Sequence, residues 1–177
     1  MDRKRETAFI GIGSNTGDRM SFCRNAAQAL QAAEGVRGAR VSSLFETVPV
    51  GYLKQNRFYN AVLQIETTLS PLNLLFRCQE IEQRFRKKIA FPNGPRTIDL
   101  DLLFHGDTVC DTPELTLPHP ELAHRFFVLI PLAEIAPDFI HPVLHLTVRG
   151  LLHRLKPSPS TGVKRRLGPG WEKEGGP

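Results

Sequence analysis

Two helical stretches interrupt four extended runs in this chain, and few packed arrangements satisfy that order. TAFIGIG (7–13), VSSLFET (41–47), FYNAVLQIET (58–67) and TIDLDLLF (97–104) read as strands from their β-branched, aromatic and alternating apolar residues. From Asp18 to about Glu34 the chain is alanine-rich and helical, with Gly35 as its stop. Ser70-Pro71 supplies an N-cap followed by proline at the first helical position. Leu74, Cys78, Ile81 and Phe85 then recur on one helical face. The order β-α-β-β-α-β predicts an α+β ferredoxin-like sandwich, an antiparallel sheet with helices packed on one face, plus a C-terminal extension. LIPLAEIA and LTVRGLLHRL read as helical segments of that extension. Two long polar loops, VPVGYLKQNR (48–57) and RKKIAFPNGP (86–95), are punctuated by Gly and Pro and suit closure over a ligand.

A length of 177 residues suits one domain with its own core. We expect that domain at 6–155. Residues 156–177, rich in Pro, Gly and Ser and without apolar periodicity, read as a disordered tail whose only large apolar residue is Trp171. The start at Met1 reads as that of a complete chain. No apolar run approaches the ~18 residues of a membrane span, and the N-terminus lacks a signal-peptide pattern. Cys23, Cys78 and Cys110 are odd in number and widely spaced, which argues against a disulfide framework or a zinc site and for a reducing cytoplasm. The net charge of +5 sits in the ends, because residues 6–155 carry 15 basic and 15 acidic groups. A balanced body argues against a nucleic-acid partner.

Within TIDLDLLF, residues two apart share a face, so Asp99 and Asp101 project together while Ile98, Leu100 and Leu102 point into the core. Adjacent carboxylates repel unless a cation lies between them, and an oxygen-only pair suits Mg²⁺ completed by phosphate oxygens and water. Two acids on a solvated strand face are the plainer account. Arg96 can fork onto a phosphate held by the same ion, or pair with one of the aspartates. Gln79 and Glu82 lie at i, i+3 off the apolar stripe of their helix and can offer an amide and a carboxylate to a sugar or base, although such residues more often face solvent. His119 can donate as a neutral imidazole; the other five histidines show no metal-ligand spacing. GIGSN (11–15) fits no phosphate-loop pattern and reads as a tight turn whose glycines allow close approach to the backbone. Phe58 with Asn60, and Phe126-Phe127 near Arg125, can form a slot for a flat heterocycle, rings stacking and the amide pairing with its edge; phenylalanines are core residues by default.

Four stretches in this order, FIGIGSNTGDR, FYNAVLQIET, GPRTIDLDLLFHGD and LTLPHPELAHRFFVLIPLAEIAPD, resemble the 6-hydroxymethyl-7,8-dihydropterin pyrophosphokinases of folate biosynthesis over Phe9 to Leu155. The resemblance implies transfer of the β,γ-pyrophosphate of ATP to the hydroxymethyl group of the pterin, release of AMP, two Mg²⁺ ions, the ferredoxin-like fold and a monomer. By motif position it implies that Asp99 and Asp101 bridge the metals and that Arg96 contacts phosphate. Gln79, Glu82, Leu102, Thr116, His119 and the loop residue Lys87 match ATP contacts. Thr47, Val50, Phe58, Asn60, Phe127 and Arg125 match the pterin side. Arg84, Arg86 and Lys88 are also candidates for the triphosphate, since Lys87 and Ile89 stand where the family carries loop arginines. Asn93 replaces a tryptophan, and Glu114 stands where some members have a nucleotide-contacting arginine. Two rival readings are a nucleotidyltransferase, which releases pyrophosphate instead of AMP, and a ferredoxin-like nucleic-acid-binding module.

Overall fold

The computed structural model describes residues 4–85, 94–156 and 162–173. Its elements run β1 (Glu6–Ser14), α1 (Arg19–Gln31), β2 (Val36–Val41), β3 (Leu44–Thr47), β4 (Phe58–Thr67), α2 (Pro71–Arg84), β5 (Asp99–His105), β6 (Cys110–Asp111), β7 (Thr116–Leu117), α3 (Phe126–Ile135), α4 (Val148–Leu155) and β8 (Val163–Leu167). Both helix starts follow from local chemistry. The Asp18 carboxylate accepts from the Ser21 amide at the head of α1, and the Ser70 hydroxyl accepts from the Asn73 amide at the head of α2. Gly35, at φ +82°, turns the chain after α1 in a conformation that other residues resist.

The main sheet is antiparallel in the order β5-β1-β4-β3-β8, and β2 pairs with the far half of β4. The extended run expected at 41–47 is broken at Ser42-Ser43. The Ser42 hydroxyl accepts from the Val62 amide and the Ser42 amide donates to the Val62 carbonyl, so a side chain takes a ladder position and the strand kinks. The Ser43 amide and hydroxyl both donate to Glu134 of α3 at 2.8 Å, which fixes the kink.

The first two helices share one face of the sheet, as the pattern suggested, and the two later helices cover the other. On one face α1 and α2 pack over Ala8, Ile10, Ile12, Ala61, Leu63, Ile65, Leu100 and Leu102. On the other, α3 and α4 pack over Phe9, Val62, Leu103 and Phe104. The second layer exists because α3, FFVLIPLAEI, is apolar nearly all round and must itself be buried. A register shift between Phe9 and Ile10 lets Phe104 join Leu103 on the second face, where strict alternation would have turned it to the first.

The expectation of a disordered tail is also corrected over 162–173. Strand β8 pairs with β3, and Trp171, 2% exposed, donates from Nε1 to the Ser42 carbonyl at 2.9 Å. An indole buried with its N–H satisfied supplies the apolar burial that the neighbouring Lys, Arg and Gly residues cannot. No helix among the described residues is long and apolar enough to cross a membrane.

Candidate active site

On the face covered by α3 and α4, the strands change character partway along. β1 runs Phe9, Gly11, Gly13; β4 runs Val62, Asn60, Phe58; β5 runs Leu103, Asp101, Asp99. Large apolar side chains end where the helices end, and beyond them the sheet is floored by glycine and walled by polar groups. In register, Gly11 faces Asp101 and Gly13 faces Asp99. A side chain at 13 would crowd Asn60, whose Oδ1 lies 2.9 Å from where a Cβ would stand. The glycines therefore open a cleft between the carboxylates and the aromatic wall.

Nine of the residues singled out from the sequence line this cleft. They are Thr47, Val50, Phe58, Asn60, Arg96, Asp99, Asp101, Arg125 and Phe127. Asn60 Nδ2 donates to Thr47 Oγ1 at 2.6 Å, which fixes the amide's orientation. The Arg96 guanidinium lies 5.6 Å from the Phe58 ring centroid, and that of Arg125 lies 5.7 Å from the Phe127 centroid. Arg96 Nη1 also pairs with Asp99 Oδ2 at 2.6 Å, the salt bridge that the sequence offered as its plainer role. Its Nε is buried and has no hydrogen-bond partner among the described residues. The guanidinium lines the cleft and keeps one donor unpaired, which suits pairing with an anion there once the side chain turns.

His119 stands beside the pair, with Nε2 4.0 Å from Asp101 Oδ1. Its Nδ1 accepts from the Glu121 amide at 3.2 Å, so the proton of the neutral ring is on Nε2. Burial, reinforced by the Arg125 charge and opposed by Glu121 and Asp99, pushes its pKa below the ordinary 6.5. The imidazole is thus a neutral donor near the carboxylates.

The other sites expected from the sequence lie apart. Gln79 is exposed on α2, whereas Glu82, three residues on, is 8% exposed and turned inward; its Oε1 accepts from the Leu100 amide at 2.7 Å. The side chain of Leu102 is in the core under α1 and α2, so only its backbone is left for a nucleotide. Thr116, on β7, donates to Asp111 of β6 at 2.9 Å and is not part of the cleft lining. Lys87, with most of the second loop, lies outside the described residues.

Asn15 escaped the sequence reading. It is 1% exposed, its amide donates to the Arg96 carbonyl, and its Oδ1 accepts from the Arg96 amide at 2.9 Å. Its Nδ2 donates to Gln55 Oε1 and to the Asn56 carbonyl. One side chain thereby joins the end of β1, the Arg96 segment and the loop 48–57. The only sequence signal was a small polar residue closing a glycine-rich turn, which has no periodicity to mark it.

Known proteins similar to this chain fall in one family. The family profile described as 7,8-dihydro-6-hydroxymethylpterin-pyrophosphokinase (HPPK) matches residues 9–137. A folic acid synthesis protein, fol1, of Schizosaccharomyces pombe is 41% identical over 161 residues, which is 91% of this chain and 22% of that one. A 2-amino-4-hydroxy-6-hydroxymethyldihydropteridine pyrophosphokinase of Bacillus subtilis is 43% identical over 128 residues, covering 72% of this chain and 77% of that one. A crystal structure of Plasmodium falciparum HPPK-DHPS with pterin and p-hydroxybenzoate superposes with a TM-score of 0.73 at 17% identity, covering 93% of this chain and 47% of that one. The chain thus spans about a fifth of the length of the fungal relative and about half of that structure.

Proposed function

The chain belongs to the HPPK family, and from that premise we propose that it transfers the β,γ-pyrophosphate of ATP to the hydroxymethyl group of 6-hydroxymethyl-7,8-dihydropterin, releasing AMP and the pterin diphosphate in folate biosynthesis. One observation carries the reading: Phe58, Asn60 and Phe127 line the same cleft as Asp99, Asp101 and Arg96.

The donor set fits Mg²⁺. Asp99 and Asp101 lie on one face with no side chain opposite them on β1, and among the described residues no third His, Cys, Asp or Glu completes a metal cluster. That leaves open positions for phosphate oxygens and water, which Mg²⁺ prefers to an all-protein cage. The two aspartates would hold two such ions, which would supply charge neutralisation at the triphosphate and acidification of the attacking hydroxyl.

The chain's own groups do the positioning on which this chemistry depends. Phe58 and Phe127 sandwich the pterin, and Asn60, oriented by Thr47, pairs with its edge. Val50 covers the slot from the loop 48–57. Arg96 exchanges part of its pairing with Asp99 for a phosphate oxygen, and Arg125 faces the migrating group. His119 donates Nε2–H to the nucleotide. Gln79, Glu82, Thr116, the Leu102 backbone and Lys87 complete the ATP side.

The reading extends to the fold and its setting. Read with β2 and β3 as one interrupted strand, the order β5-β1-β4-β3 supports a ferredoxin-like core with a C-terminal extension. We assign it as a single catalytic domain over 6–155 extended by β8, acting as a cytoplasmic monomer with small-molecule substrates.

The test is chromatographic. With ATP, Mg²⁺ and 6-hydroxymethyl-7,8-dihydropterin, wild type forms AMP and pterin diphosphate, and Asp101→Ala loses at least ~10²-fold in rate, the scale seen when a transition-state charge partner is removed. ADP or pyrophosphate as the product would refute the assignment.

A further inference from the structure

Residues 162–173 are tied to the body at both ends. At the first, Thr47 pairs with Val163 and Glu46 with Lys164, and the Val48 amide donates to the Gly162 carbonyl at 3.3 Å. At the second, Trp171 is buried and donates to the Ser42 carbonyl. Arg24 Nε donates to the Trp171 carbonyl at 3.2 Å and Gln28 Nε2 to the Glu172 carbonyl at 2.7 Å, so both bonds come from α1. The ion pairs along β8, Arg165 to Glu134 and Arg166 to Glu46, involve exposed arginines and add little. The anchorage is the indole and the backbone ladder.

These ties bracket β3. The strand leaves from the Ser42-Ser43 kink, which Trp171 holds, and ends at Thr47 and Val48, which line the cleft. Gly162 is the link between strap and cleft. Its φ is +68°, and a Cβ there would stand 2.8 Å from both methyls of Val48. Any side chain at 162 therefore drives Val48 toward the slot or lifts β8 from β3.

We propose that residues 162–173 form a positioning strap that sets the register of β3 and thereby the place of Thr47 and Val48 in the pterin wall. The assignment of that wall to pterin rests on the function proposed above. Because β5, with Asp99 and Asp101, lies at the opposite edge of the sheet from β8, the strap acts on the pterin side and leaves the nucleotide side alone.

The experiment uses the full chain with Gly162→Ala, Val48→Ala, their combination, Trp171→Ala and Trp171→Phe, read by KM for each substrate and by hydrogen exchange at the Val48 amide. Gly162→Ala raises the pterin KM about tenfold with the ATP KM held within about twofold. The combined variant recovers most of that loss, since Val48→Ala removes the clashing methyls; strain at 162 alone would not be relieved. Trp171→Ala speeds exchange at Val48, and Trp171→Phe restores most of the protection. An unchanged pterin KM in Gly162→Ala, equal shifts in both KM values, or unchanged Val48 exchange in Trp171→Ala would overturn the strap. If wild type turns over no pterin, the proposed function falls, and Val48 exchange alone decides whether the segment holds β3.

Discussion

Gly13 shows how a missing side chain can define a site. A Cβ at 13 would stand 2.9 Å from Asn60 Oδ1, and Asn60 is held by its 2.6 Å bond to Thr47. Gly13→Ala must displace the amide, weakening a hydrogen bond worth about 1 kcal/mol and turning the edge that meets the heterocycle. Strand propensity pulls the other way, since alanine is better than glycine in a strand by roughly 0.5–1 kcal/mol. The variant is therefore expected to keep its melting temperature to within a few degrees while its pterin KM rises about tenfold. A large fall in melting temperature with unchanged KM would show that the glycine serves packing instead. At this scale the sequence was readable where chemistry follows period: Asp99 and Asp101 share a face because strands alternate, and the β1 glycines announced a close approach. Asn15 was not readable, because the bonds that place it reach residues 40 to 81 positions away.

Strand β5 carries the carboxylates at the edge of the sheet, where its outer amides have no ladder partner among the described residues. The Leu100 amide, between the two aspartates, is met by Glu82 from α2 instead. The bond satisfies a buried amide between the two carboxylates. Glu82→Ala leaves that amide unpaired and is expected to cost about 1–3 kcal/mol of stability in the ligand-free protein. The same variant needs more Mg²⁺ for half-maximal activity, while Glu82→Gln, which keeps an acceptor oxygen, retains most of the stability. Urea unfolding without nucleotide checks this; a stability unchanged in Glu82→Ala would leave Glu82 only its nucleotide role. Elements were legible where local rules act. FYNAVLQIET is β4 residue for residue, and Ser70-Pro71 marks the start of α2. The break at Ser42-Ser43 was hidden because it depends on Val62 and Glu134, and β8 because VKRRL has no apolar alternation of its own.

Across the whole molecule the second helical layer does two things at once, closing the core over half of one sheet face and leaving the other half as the cleft. Its stability can therefore be probed away from the chemistry. His141 belongs to that side: it is 6% exposed, its ring stands edge-on to Phe104 at 5.4 Å, and its Nδ1 accepts from the Val143 and Leu144 amides at 3.2 Å. Burial lowers its pKa below the ordinary 6.5, its own backbone hydrogen bond opposes this, and His145 adds to the lowering. The sign follows from proton counting. Above pH 6.5 neither folded nor unfolded chain holds the proton, and the group contributes no pH dependence. Between 6.5 and the lowered folded value the unfolded chain binds a proton that the fold refuses, so stability falls as the pH falls; below the folded value the loss stops growing. Protonated Nδ1 also ceases to accept from the two amides. NMR of the ring proton is expected to give a midpoint below 6.5, and the stability difference between wild type and His141→Gln should shrink on acidification through 6.5. A midpoint at or above 6.5 would mean that the ring charges without resistance and that the α3–α4 side does not weaken through this group. Because His141 is not among the cleft-lining residues, the Mg²⁺-saturated KM for pterin should stay flat over the range in which this loss of stability appears.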